Sequence, residues 1–262
     1  MRLSLSVSET VELVLATAHK AVARCLAAHP LSCDLLQASE HELKQHGWPN
    51  RVIALWQQHR TQFDVTALLK ACERHGIRIL LPSHADWPTR FAHLGAHAPR
   101  RLFVRGTLPT LPHIAIIGTR APTPYGLRAV DTFVQEMRGA SIAIVSGLAL
   151  GTDGRAHRQA LEHGFPTTAI LGSSIAEREL LPQTHAPLAE AILAAGGAVL
   201  SEIAPGQAAH PGSFPERNRL IAALCHALIV TEAKERSGTL ITARIALELG
   251  REVLAVPGSI FS

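Results

Sequence analysis

The chain has 262 residues, enough for one large domain or a large one with a small companion, and enough to bury a sizeable core. Its residues are 47% apolar but only 4% aromatic, so Leu, Ala, Ile and Val must build that core, as happens where helices cover a parallel sheet. Twenty-five Lys and Arg against 21 Asp and Glu give a net charge of +4 with histidines neutral, which excludes the heavy charge of a protein that coats DNA non-specifically.

Fifteen histidines without clustering read as a solvated, biased surface. Cys25, Cys33, Cys72 and Cys225 have neither C-x-x-C spacing nor histidines at zinc-ligand intervals, so the expectation is no disulfide framework, no metal and a reducing cytoplasm. Glu9 and Glu12 come early, and His226 interrupts the longest apolar run, Leu220 to Val230. Both argue against a signal peptide and a membrane-spanning helix.

The first eighty residues read as helical. Ser8-Glu9-Thr10 offers a cap, and Val11, Leu13, Val14, Ala18 and Val22 form a stripe reaching to Pro30. Leu31 to Gln45, Asn50 to Arg60 and Asp64 to His75 supply three more helices, the last closed by Gly76. Ile77 to Leu81 reads as a short strand, and Leu102 to Gly106 as an edge strand leading into the main sheet. From Ile114 the alternation is regular. Strands are predicted at Ile114 to Ile117, Ile142 to Val145, Thr167 to Leu171, Ala198 to Leu200, Ala227 to Val230 and Val253 to Val256, with helical patterns between them. That order requires a parallel sheet with right-handed crossovers. The expected architecture is α/β: an extended Rossmann-like, doubly wound, mostly parallel sheet over residues 77–262, with a small all-helical domain over residues 1–76.

The chemistry gathers where those strands end, which in an open α/β sheet is where ligands sit. Gly118-Thr119-Arg120 follows the first main strand and precedes a helix starting near Pro124. Backbone N–H groups there, with a fixed cation, point to phosphate. Ser146-Gly147 opens a small-residue loop whose backbone can approach an oxyanion closely. Asp153 and His157 stand four apart on the next helix, either as an acid–base or metal pair or as a carboxylate at the helix N-terminus bonding the histidine. Arg217-Asn218-Arg219 packs two guanidinium groups around an amide, suited to phosphate and base edges. Ser237-Gly238-Thr239 offers hydroxyls beside free helix N–H groups. Tyr125 and Phe214 are the aromatics near these loops, Tyr125 reading equally well as a core residue.

Taken in order, Gly118-Thr119-Arg120 with Tyr125-Gly126, Ser146-Gly147-Leu148-Ala149 through Asp153 and His157, Ser201-Glu202, Phe214-Pro215-Glu216-Arg217-Asn218-Arg219, Ser237-Gly238-Thr239, Gly250-Arg251-Glu252-Val253 and Val256-Pro257-Gly258 resemble the bacterial DNA-processing protein A family (DprA, also called Smf). The helical start resembles the sterile-alpha-motif-like domain of many members. The resemblance implies a homodimeric, cytoplasmic single-stranded-DNA-binding protein of natural transformation, one that protects incoming DNA and loads the RecA recombinase onto it. It implies no cofactor, no membrane and no enzymatic reaction. Carried over by position, Gly118, Thr119, Arg120, Ser146, Gly147, Arg217, Asn218, Arg219, Ser237, Gly238 and Thr239 fall in the family's DNA-facing pocket, and the helices near the last two strands fall where members dimerise and meet RecA.

Two departures stand out. Gly172 to Glu177 and Leu181-Pro182-Gln183 replace the usual Gly-x-Gly-Leu-Asp and Tyr-Pro with its nearby basic residue, which removes one implied DNA contact. Gly151-Thr152-Asp153 replaces the usual Gly-Ile-Asp. The rival reading is a nucleotide-processing enzyme resembling phosphoribohydrolases, with Glu202 and Glu232 as strand-end acids. It lacks the Pro-Gly-Gly-x-Gly-Thr loop of those enzymes, and Gly118-Thr119-Arg120-Ala121 lacks the dinucleotide fingerprint. A pure protein-interaction adaptor is the third reading.

Overall fold

The computed structural model describes residues 5–18, 20–28, 35, 38–235 and 237–258. Helices α1 (Val7–Thr17) and α2 (Lys20–Ala28) replace the single helix expected here. Ala18 is extended at the end of α1, although no proline or glycine marks the break. The α1 cap also lies earlier than expected: Ser6 and Glu9 form a reciprocal capping box, satisfying two otherwise free N–H groups. Helix α3 covers Glu40–Gln45, capped by Ser39 and Glu42, which is the part of the helix expected over Leu31 to Gln45 that is helical among the described residues. Leu35 lies in a turn, while Pro30, residues 31–34 with Cys33, and residues 36 and 37 are outside the described residues. Helices α4 (Asn50–Gln62) and α5 (Val65–Arg74) follow closely the spans expected from the sequence.

Among the described residues the sheet has eight strands. Antiparallel strands β1 (Arg78–Leu80) and β2 (Leu102–Gly106) lead to β3 (His113–Ile117), α6 (Pro124–Glu136), β4 (Ala143–Ser146), α7 (Thr152–Glu162) and β5 (Thr167–Leu171). Then come α8 (Ala186–Ala194), β6 (Ala198–Ser201), α9 (Ser213–Leu224), β7 (Ala227–Val230), α10 (Gly238–Glu248) and β8 (Glu252–Ala255). The order across the sheet is β1-β2-β6-β5-β4-β3-β7-β8. All pairings from β6 to β8 are parallel, and β2 joins β6 antiparallel. Strand β2 is therefore interior, not the expected edge, because β1 covers its outer side through the Leu80 to Leu102 register. Sequence alternation alone could not reveal that partner.

Alternate residues of the strands face opposite helical layers. Ala115 and Ile117 join Leu220, Ile221 and Leu224 of α9, whereas Ile116 meets Val130, Val134 and Ala160 from α6 and α7. A separate cluster, including Val22, Leu43, Ile53 and Trp56, forms the core of the N-terminal helices. The chain winds outward from β3 to β6, then returns to place β7 on the other side of β3. That reversal opens a crevice at the carboxyl ends of β3 and β7.

Candidate functional site

A cleft of about 810 Å³ occupies this crevice. Gly118 can approach the sheet because it lacks a side chain: a Cβ there would lie 2.4 Å from Thr152 Oγ1 and 2.8 Å from Thr231 Oγ1. The chain then arches over residues 119–123. The Thr119 N–H donates to the Glu232 carbonyl at 2.8 Å, and the Thr152 N–H donates to the Thr119 carbonyl at 3.2 Å. At the far foot, the Thr123 N–H and hydroxyl donate to Glu232 Oε2 at 2.9 and 3.1 Å. Arg120 stands exposed on the arch, its guanidinium 5.9 Å from the centre of the Phe214 ring.

The opposite wall begins after β7. Exposed Lys234 supplies a second cation, and among the described residues neither it nor Arg120 is in an ion pair. Ser237 caps α10 without a side-chain capping bond, and its buried Oγ has no hydrogen-bond partner among the described residues. The first N–H groups of a helix lack helical acceptors and attract anions. Thr239 donates its hydroxyl to the Gly118 carbonyl at 3.0 Å, tying the two walls together. Asn218 donates to the Gly238 carbonyl at 3.2 Å.

The floor is stiff and charged. Arg217 is buried and donates from Nη1 to the carbonyls of Gly147, at 2.6 Å, and Ile170. Burial pulls its guanidinium down to about 10, an effect opposed by Asp153. Burial pushes the Asp153 carboxyl above its ordinary range; the Arg217 charge and the Ala149 and Gly147 N–H donors pull it back. Asp153 is thus the N-terminal carboxylate of α7, but it does not hold His157. That histidine shares a 2.7 Å bond between Nδ1 and Thr167 Oγ1, and burial lowers its pKa to about 3.

Eight of the eleven residues proposed from the sequence line the cleft: Gly118, Thr119 and Arg120 on one wall, Ser237, Gly238 and Thr239 on the other, with Arg217 and Asn218 between them. Ser146 and Gly147 lie behind the floor, where Ser146 donates to the Ile116 carbonyl and the Gly147 carbonyl receives Arg217. Arg219 is absent from the lining; it forms a two-pronged ion pair with Glu202 at 2.6 and 2.8 Å and donates to the His97 carbonyl. Tyr125 is neither core nor cleft: it is 48% exposed and donates to the Pro257 carbonyl. Lys234 and His210 are lining residues that the sequence reading missed. The signal for Lys234 is a cation in the turn between strand-end Glu232 and Ser237; Arg236 in that turn is outside the described residues. Among the described residues no cluster of three or more His, Cys, Asp or Glu is arranged to hold a metal ion, and no helix is long and apolar enough to cross a membrane.

Comparison with known proteins shows the family and the fold. The sequence profile of the family described as DNA recombination-mediator protein A matches residues 78–262. The DNA processing protein DprA of Streptococcus pneumoniae is 42% identical over 165 residues, which cover 62% of this chain and 57% of that protein. Its X-ray structure aligns with a TM-score of 0.80 and 30% identity over 99% of this chain and 89% of that one. DNA processing protein A from Helicobacter pylori, solved in a study of its single-stranded DNA binding mode, aligns with a TM-score of 0.61 and 30% identity, covering 70% of this chain and 82% of that one. The chain spans about half the length of the curated relatives it matches.

Proposed function

Since this chain belongs to the DNA recombination-mediator protein A family, we propose that it binds single-stranded DNA in the cleft between β3 and β7. The observation that carries this reading is exposed Arg120 on one wall facing exposed Lys234 and the N-terminus of α10 on the other, across a cleft that Phe214 also lines. Such a surface holds a flexible phosphate backbone by charge and main-chain donors more than by base stacking. The contacts we assign are Gly118, Thr119, Arg120, Lys234, Ser237, Gly238 and Thr239. Arg217 and Asn218 set the walls, and Ser146, Gly147 and Arg219 support them from outside.

We further propose that the protein acts without chemistry, protecting incoming strands in natural transformation and loading RecA onto them in the cytoplasm. In support of a non-catalytic role, three carboxylates near the cleft are held by neighbours: Asp153 by backbone N–H groups, Glu202 by Arg219 and Glu232 by Thr123. Residues 1–76 are proposed as a separate helical domain and 77–262 as the DNA-binding one. A homodimer would use the face of α10 and β8, where Leu247 is 61% and Leu254 50% exposed. The test is fluorescence anisotropy of a labelled oligothymidine across a salt series, beside a duplex of equal length. The expected result is single-strand preference, a log–log salt slope of about −0.7 per phosphate contacted, and weakened binding in Arg120→Ala. Absence of binding at low salt would overturn the reading.

A further inference from the structure

Glu232 is a carboxylate beside a site proposed to bind phosphate, where like charge works against the ligand. Its geometry gives a reason for its presence. It meets both feet of the Arg120 arch: its backbone carbonyl receives the Thr119 N–H, and its side-chain Oε2 receives the Thr123 N–H and hydroxyl. The Thr123 hydroxyl in turn accepts from the Gly126 N–H at 3.2 Å, which caps α6. Gly126 leaves room for this carboxylate, since a Cβ there would sit 2.4 Å from Glu232 Oε2. The arch is also packed from behind: a Cβ at Gly151 would lie 2.6 Å from the Arg120 carbonyl. Lys234 follows two residues later on the opposite wall.

From this arrangement we infer that Glu232 is a positioning residue for DNA binding: it fixes the β3–α6 arch so that Arg120 faces the cleft, and it touches no DNA itself. The inference rests on the DNA-binding reading of the cleft. Two chemical properties of Glu232 then separate. Acceptance of the Thr123 bonds needs an oxygen at the right reach, which glutamine retains. The negative charge opposes phosphate and contributes nothing to holding the strand.

The test measures oligothymidine affinity and its salt slope for the intact protein and for Glu232→Ala, Glu232→Gln, Glu232→Asp and Arg120→Ala, with the thermal midpoint of each. Glu232→Ala is expected to weaken binding about tenfold and to make the salt slope shallower by about 0.7, the signature of one lost phosphate contact. Glu232→Gln retains wild-type affinity or exceeds it. Glu232→Asp, one methylene too short to reach Thr123, weakens binding like alanine while keeping the charge, and it decides the matter should the alanine variant fold poorly. Combining Glu232→Ala with Arg120→Ala costs no more than Arg120→Ala alone, because both remove the same contact. Wild-type protein that binds, with Arg120→Ala weakened but Glu232→Ala and Glu232→Asp unchanged, overturns the inference and leaves the DNA reading standing. Tighter binding in both Glu232→Ala and Glu232→Gln, with Glu232→Asp unchanged, also overturns it, by making the residue only a repulsive charge. Wild-type protein that does not bind overturns the DNA reading first.

Discussion

Arg217 and Arg219 are two residues apart in α9, and at about 100° per residue such positions face different ways. Their fates follow from that angle: Arg217 points into the floor, while Arg219 pairs with Glu202. The sequence shows two cations flanking an amide and is silent about the rotation, so both look equally fit for phosphate. Replacing Arg217 with methionine leaves two carbonyls without their donor and removes the positive charge that offsets the burial of Asp153. This should cost about 3 kcal/mol or more in urea unfolding, whereas Arg219→Ala should cost no more than about 1–2 kcal/mol. His157 makes stability depend on pH. Its pKa falls from the ordinary 6.5 to about 3 on burial, so the unfolded chain binds the proton more readily between those values. Its contribution is fully present above about pH 6.5 and is lost as pH falls toward 3. At pH 5 the loss from this residue should be about 2 kcal/mol relative to pH 7. Urea midpoints at the two pH values should fall together less in His157→Gln than in wild type, and equal slopes would show that the ring is not the source.

The joints between elements are where substitution should be least tolerated. Gly118→Ala drives a methyl into Thr152 and Thr231 at the end of β3. It should cost about 1–3 kcal/mol in thermal unfolding and reduce DNA affinity, since the arch begins there. Helix α9 ends under two other arginines: Arg90 donates to the Cys225 carbonyl, and Arg251 to those of Ala222 and Ala223. These cations answer the partial negative charge of a helix C-terminus. Legibility in the sequence follows the same physics. Strands β3 to β7 lie within a residue or so of their apolar runs because a strand covered on both faces leaves a continuous hydrophobic record, whereas β8 is a largely exposed edge. The break at Ala18 left no such record, as alanine is the strongest helix former and nothing at Thr17 or Ala18 marks a stop. The interior position of β2 depends on β1, a pairing decided by tertiary packing. In the cleft, glycine and hydroxyl turns were readable as loops, whereas the engagement of each polar group required knowing which strand lay alongside.

Across the whole molecule, the helical N-terminus is fastened by arginines. Arg100 donates to the carbonyls of Leu15 and Ala18, and Arg101 to that of Ala16, filling the acceptors at the end of α1. Leu13 meanwhile joins the cluster that contains Ile79 and Phe103 of the sheet. Arg101→Met should therefore expose residues 7–28 to limited proteolysis while the sheet stays resistant, and uniform resistance would show that this fastening is dispensable. The proposed dimer is tested by Leu247→Glu in sedimentation velocity: the expected change is from dimer to monomer, and a wild-type monomer would end that proposal. The central strand carries a consequence for biosynthesis. Ile114 of β3 pairs with Ile144 of β4 and with Ala227 of β7, so one of its edges finds its partner early and the other must wait until the ribosome has made β7. Until then the nascent chain has an open seam in the middle of its sheet and only one wall of its cleft. A chain stalled before Ala227 should need a chaperone to cover that seam and should leave DNA untouched, so that the capacity to hold a strand appears late and abruptly in synthesis.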